Sequence, residues 1–442
     1  MARFLIGTVP VIGHVGPAAP IARKLVEHGH EVWWYTGKVF QPTVEATGAR
    51  FAPIANSLDY SDLGNVPEAW IVQRNALQGL DQLKFDLKHF FIDTALGQVQ
   101  DLQVLLGEFP ADVLLVDSFF LGAAWVHELG GPPWAEYGST VLPTRSRDTA
   151  PFGLGLRPNA SPLGQLCNRG LHWLFQSVLL RDVQAHTNAV RNRLGLRSVS
   201  QAFFDVTSPF LYLQGTVPAF EYPRGDLPAQ VHFVGPLLPA PPAQFTPPSW
   251  WEELHKDRPV VHVTQGTVTT EPSDLIVPTL RALQKEDVLV VATTGGRPVE
   301  DIGLAPLPDN ARVERFIPHY HLLPHIDVMV TNGGYNGVQM ALAHGIPLVV
   351  AGRSEDKPEV AARVAWAGVG IDLRTKSPKP ERIASAIKQL ITNSTYKNRA
   401  RRFQTEMERY DAPARAVALL EQLAQTGRPV LSDSQQSFTQ LA

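Results

Sequence analysis

The sequence predicts an α/β protein built from two Rossmann-like, doubly wound domains that face one another across a cleft. Two observations carry this reading. Short apolar runs alternate with segments of helical periodicity in both halves of the chain. A proline-rich stretch, GPLLPAPPAQFTPP at 235–248, interrupts that alternation near mid-chain. Such a stretch is stiff and poor in N–H donors, so it belongs between sheets and not inside one. The domains are therefore drawn at 1–235 and 249–425, with a linker at 236–248 and a polar, non-periodic tail at 426–442. A chain of 442 residues is long enough to give each domain its own core.

The first domain opens with an apolar strand at 4–8 and a loop at 9–16 that holds Gly13, His14 and Gly16. A helix follows, in which Ala18, Ile21, Ala22, Leu25 and Val26 recur at helical spacing, and a second strand at 31–35 completes a right-handed βαβ unit. The glycines lack dinucleotide spacing and no phosphate-loop lysine follows, which counts against NAD and ATP. Helical periodicity with frequent aromatics, among them Tyr60, Trp70, Phe85, Phe90 and Phe91, fills 56–107. A buried strand at 111–116 ends at Asp117, Ser118, Phe119 and Phe120, and a helix carrying Trp125 comes next. Residues 143–162 read as a long irregular loop, of the kind that is functional or mobile. A helical segment at 163–194 and strands at 210–213 and 231–234 finish this half.

In the second half, strands are expected at 260–264, 288–293, 311–316, 328–331 and 348–350, which makes a parallel sheet. Helices at 380–391 and 396–425, the latter broken near Ala412 and Pro413, close the fold. The most informative stretch is 327–337, DVMVTNGGYNG. A short buried strand runs into Asn332, Gly333 and Gly334, and a helix starts at about Tyr335. Paired glycines let a ligand approach the backbone, and a helix N-terminus offers free N–H groups and a positive dipole end. Together they suit a phosphate.

Composition removes several classes of function. A net charge of −3 gives no electrostatic grip on nucleic acid or anionic membrane. Cys167 is the single cysteine, so there is no internal disulfide and no cysteine-based metal cluster, and a reducing compartment fits. Without a signal-like segment or an apolar run able to span a bilayer, the expectation is a cytoplasmic protein with no stable membrane insertion.

The chemistry-bearing residues collect where strands end. His14 follows the first strand and Asp117 ends another strand of the same sheet, so both should face the cleft. A carboxylate beside a histidine fixes its tautomer and frees the other ring nitrogen to take a proton from a hydroxyl, although the same pair also serves structural purposes. Across the cleft, Gly266 and Thr267 follow a strand and read either as a phosphate contact or as an ordinary turn. Phe316 at a strand end can stack on a base or pack in the core; Ile317 and His319 lie beside it. Asp356 and Lys357 occupy the loop after 350, where they could meet sugar hydroxyls or solvent. No Asp-x-Asp occurs, so metal ligands are not expected, and a helix terminus can stabilise a leaving diphosphate without one.

This ordered set, Gly13 and His14, Asp117, the turn at 266–267, Phe316 to His319 as FIPH, the turn at 331–337 and Asp356 within GRSEDKPEVAARV, resembles the UDP-glycosyltransferase family of small-molecule glycosyltransferases. The resemblance implies the GT-B fold, with an acceptor-binding first domain, a nucleotide-sugar-binding second domain and terminal helices that cross back to the first. It implies an inverting, metal-independent transfer to a hydroxyl, with His14 as general base and Asp117 as its orienting carboxylate. By the same resemblance Thr267, Asn336 and the N–H groups of 334–337, Gly337 included, cradle the diphosphate; Phe316 stands where a tryptophan meets the base, and Asp356 holds the sugar. The nucleotide-sugar donor is a co-substrate and no cofactor is implied. Four positions depart from the family: Asn332 replaces histidine, His319 glutamine, Met340 the ribose-binding glutamate and Lys357 glutamine. They leave the base open between UDP and dTDP. The aromatics of the first domain fit an apolar acceptor such as a polyketide, terpenoid or phenolic. A catalytically silent nucleotide-binding auxiliary protein and a sugar-nucleotide epimerase of the same architecture are the alternatives.

Overall fold

The computed structural model describes residues 1–242, 244–266 and 271–432. One sheet holds β1 Arg3–Gly7, β2 Glu31–Thr36, β3 Arg50–Pro53, β4 Val113–Asp117, β5 Trp134–Gly138, β6 Leu211–Gln214 and β7 Val231–Phe233, in the order β3-β2-β1-β4-β5-β6-β7. The other holds β8 Val260–Thr264, β9 Leu289–Thr293, β10 Ala311–Glu314, β11 Val328–Thr331, β12 Leu348–Val350 and β13 Gly370–Asp372, in the order β10-β9-β8-β11-β12-β13. Neighbouring strands are parallel in both. Strands β4, β8, β9 and β11 are buried along their whole length, as expected of sheets covered on both faces.

Strand order reverses once in each sheet, between β1 and β4 and between β8 and β11. Connections leave such a point toward opposite faces, so the carboxyl ends of those strands border a crevice. Gly7 and Asp117 end the first pair, Thr264 and Thr331 the second. Topology alone thus brings the segments after β1, β4, β8 and β11 to ligand-binding positions.

The helix Ile12–Glu27 buries Val15, Ala18, Ile21, Ala22 and Leu25 against Phe4, Ile6 and Trp34. The last helix among the described residues, Ala412–Thr426, places Ala416, Val417, Leu420 and Leu423 in that same cluster. Each buried leucine is worth about 2 kcal/mol, so a helix late in the sequence is part of the first sheet's core. Beyond it, the Val430 N–H donates to the Phe210 carbonyl at 2.8 Å and its carbonyl lies 2.9 Å from His232 Nε2. The break before this helix has a local cause. Asp411 caps it by accepting from the Ala414 N–H at 3.1 Å, and Pro413 sits in its first turn.

The structure departs from the sequence reading in four places. The first helix begins at Ile12, which puts His14 in its first turn and not in a loop. Strand β10 stops at Glu314, so Phe316 lies past its end. Strands β3, β5 and β13 were not expected. Strand β13 has only three residues, and β5 carries Glu136 in the middle of its run. That carboxylate is buried, accepts from the Ser208 N–H at 3.0 Å, and is pushed well above its usual value by burial. The irregular stretch 143–161 is present but pinned. Arg224 donates to the carbonyls of Leu142 and Thr144, both at 2.7 Å, and Asp148 accepts from the Gly225 N–H at 2.6 Å.

Candidate active site

Strand β4 delivers Asp117 to the crevice with its carboxylate buried. One oxygen accepts from the Val9 N–H at 2.8 Å; the other accepts from the Phe119 N–H at 3.0 Å and lies 2.8 Å from His14 Nδ1. The Ser139 hydroxyl is 3.1 Å from the same nitrogen. An ionised carboxylate only accepts, so neutral His14 carries its hydrogen on Nδ1 and keeps a lone pair on Nε2. The ring is 16% exposed, and Phe119 meets it edge-on at 5.6 Å. Tyr137 fixes the backbone beneath by donating to the His14 carbonyl at 2.6 Å.

The helix that carries His14 contains Pro17. Proline has no N–H to give the carbonyl four residues earlier, which here is that of Gly13. Asn336 uses the opening: its Nδ2 donates to the Gly13 carbonyl at 3.0 Å from the other side of the cleft. Asn336 and Gly337 stand in the first turn of the helix Tyr335–Ala343, where N–H groups lack intrahelical acceptors. Gly333 is required just before it. Its φ is +90°, and a Cβ there would come within 2.8 Å of Val350. Asn332 is buried and braces two turns: Nδ2 donates to the Gln265 carbonyl next to Gly266, and Oδ1 accepts from the Gly334 N–H at 3.3 Å.

Asp356 and Lys357 divide. The Thr140 hydroxyl donates to Asp356 at 2.5 Å across the interface, and burial holds this carboxyl above its ordinary value against that bond and the field of His14. Lys357 is buried and turned toward its own loop, donating to Ser354 at 3.1 Å and to Glu355. Burial first, and Arg74 second, push its ammonium down to about 8.

Among the remaining expected site residues, Phe316 is 68% exposed, an open aromatic face past β10. Ile317 is buried with Leu322, Leu323 and Ile326 in the core, so its side chain packs inward. Thr267 lies outside the described residues. His319 faces the buried His262, with Nε2 atoms 3.4 Å apart. His262 Nδ1 is 2.9 Å from the Val291 carbonyl and must donate to it, so the shared hydrogen belongs to His319. Burial above all pushes His262 down to about 3 and His319 to about 4. Folded values below the unfolded 6.5 mean that the unfolded chain takes up protons first on acidification. Stability is thus complete above pH 6.5 and declines as pH falls toward 4, by about 3 kcal/mol for His319 alone. Urea unfolding at pH 7 and pH 4.5 should show this decline, and His262→Gln with His319→Gln should flatten it.

Several residues here were not anticipated. Ser139 and Thr140 follow β5, and the missed strand hid them. Phe203, Phe204 and Phe152 extend the aromatic surface that starts at His14: Phe119 stacks on Phe203 at 6.1 Å and meets Phe204 at 6.3 Å, and Phe204 meets Phe152 at 5.1 Å. Phe91 touches Phe119 at 5.6 Å, whereas Phe85, Phe120 and Trp125 are core residues. No helix of the described residues is long and apolar enough to cross a membrane.

Residues 278–423 match the model of the family described as erythromycin biosynthesis protein CIII-like, C-terminal domain. The chain is 49% identical over 425 residues to the 4'-demethylrebeccamycin synthase of Lentzea aerocolonigenes, covering 96% of this chain and 99% of that one. It is 34% identical to UDP-glycosyltransferase 2 of Phaeomoniella chlamydospora, covering 96% of each. Among solved structures, the glycotransferase of kitacinnamycin superposes with a TM-score of 0.73 at 22% identity, over 95% of this chain and 98% of that one. The fold is therefore GT-B.

Proposed function

The chain belongs to the UDP-glycosyltransferase family of small-molecule, natural-product glycosyltransferases, and we propose that it inverts configuration at the sugar, using His14 as base and needing no metal for transfer. The donor is a UDP- or dTDP-sugar, and the acceptor is a hydroxyl of a hydrophobic small molecule. The observation that carries the reading is the contact of 2.8 Å between His14 and the buried Asp117, at the edge of the aromatic surface and opposite Asp356. His14 Nε2 takes the acceptor's proton, and Asp117 stabilises the imidazolium that forms. The freed oxygen attacks the anomeric carbon as the nucleoside diphosphate leaves toward the N–H groups of the helix Tyr335–Ala343. Asp356 holds the donor sugar and Phe316 offers its exposed ring to the base. Asn336 bridges the diphosphate side to the helix of the base through Gly13.

The test is calorimetric titration of the protein with UDP, dTDP and GDP, with and without a chelator, followed by an acceptor screen with sugars of whichever diphosphate binds. Chelator-insensitive binding of one of them, and transfer to a phenolic or polycyclic hydroxyl, is the expected result. Absence of binding by all three diphosphates overturns the proposal.

A further inference from the structure

At the far end of the helix Ile12–Glu27 from His14, about 20 Å along its axis at 1.5 Å per residue, three metal-ligating side chains converge. His28 and His30 flank Gly29, whose φ of +79° turns the chain so that both rings reach one carboxylate. That carboxylate is Glu421, on the final helix Ala412–Thr426. His28 Nδ1 and His30 Nε2 lie 3.0 and 2.8 Å from the same Glu421 oxygen, and the three ligand atoms all fall within 4.8 Å of one another. We propose that His28, His30 and Glu421 form a zinc site that fastens the helix Ala412–Thr426 to the first sheet's domain.

The donor set suits zinc: two imidazoles and a carboxylate, with a fourth position left to water. Bonds of about 2.0–2.2 Å in tetrahedral geometry place ligand atoms roughly 3.2–3.5 Å apart; each ring nitrogen, now 3.0 or 2.8 Å from the carboxylate oxygen, has to draw back from it by a few tenths of an ångström, within a cluster whose ligand atoms all lie within 4.8 Å. One contact must change. The Ala2 N–H donates to His30 Nδ1 at 3.1 Å, which leaves the ring hydrogen on Nε2. On metal binding Nε2 gives up that hydrogen, Nδ1 takes one in its place, and the Ala2 N–H turns to water. Ala2 is partly exposed, so the loss is one part-buried hydrogen bond.

The ion would leave the reaction untouched, because the site is remote from His14. Its effect would be on stability: it would bind only where the last helix is docked, and so favour the docked state. The experiment strips the full-length protein with a chelator and titrates it with zinc chloride in a calorimeter, beside His28→Ala and Glu421→Gln. The expected result is one saturable site, weakened at least about tenfold in either variant, with a zinc-dependent rise in unfolding temperature that both variants lose. Cobalt(II) in place of zinc should give the visible absorption of a four-coordinate nitrogen and oxygen site. His28 is 39% exposed, so its truncation leaves the core intact. Equal zinc affinity in all three proteins, or no saturable binding up to about 1 mM, overturns the proposal.

Discussion

Replacing His14 with alanine is expected to lower sugar transfer by roughly 10²–10⁴-fold, the usual contribution of a positioned base, while nucleotide affinity stays near that of the parent. In the proposed arrangement the imidazole, beside Phe119, meets the acceptor, and the diphosphate meets the turn at Gly333 and the helix behind it. Removing the ring should therefore cut kcat and spare donor binding. Asp117→Asn tests the second half of the pair. An amide can donate to Nδ1, which would reverse the tautomer and place the hydrogen where the lone pair is needed. Near-normal transfer by His14→Ala would end the proposed mechanism, whatever the nucleotide data say.

Arg363→Met is expected to destabilise the protein by about 3–5 kcal/mol, a large part of the total for a typical domain. The guanidinium is fully buried between the two halves of the chain. It donates to Glu221 at 2.9 Å and to Glu359 at 3.0 Å, and lies 4.1 Å over the Tyr222 ring. Burial by itself would lower its pKa; Glu221 and Glu359 outweigh that and hold it above the usual arginine value. Methionine would leave two buried carboxylates without their cation. Glu359 also accepts from the N–H groups of Gly153 and Gly155 at 3.0 and 2.7 Å, so the damage should spread to the loop that packs on the helix Lys357–Trp366. Urea unfolding measures the loss, and adding Glu221→Gln and Glu359→Gln should restore much of it. A loss under about 1 kcal/mol in Arg363→Met would show that water reaches the network.

The contrast between these two sites explains what the sequence could and could not disclose. His14 and Asp117 were legible because each follows a strong apolar strand, and a strand end in a doubly wound sheet is an address in space. The turn at Asn332 was legible for the same reason. The role of Asn332 was not: it braces the Gln265 carbonyl, and that requires knowing that β8 and β11 are neighbours. Glu221 and Arg363 are 142 residues apart, and no local period encodes such a pair. Ser139 and Thr140 were lost with β5, where Glu136 masks the apolar run. That the Ile317 side chain turns inward while that of Phe316 turns outward could not be read from the sequence, since adjacent residues past a strand end can point to opposite sides, one to solvent and one to the core.

The docking of Ala412–Thr426 beside Ile12–Glu27 sets an order of events during synthesis. A ribosome releases the amino-terminal sheet long before it has made Val417, Leu420 and Leu423, so until then one face of that sheet's core is open to water. The first domain cannot reach its final packing as it emerges. It must wait, partly folded, for nearly the whole of the second to be translated, and any nascent chain that ends before residue 412 carries an uncovered apolar seam.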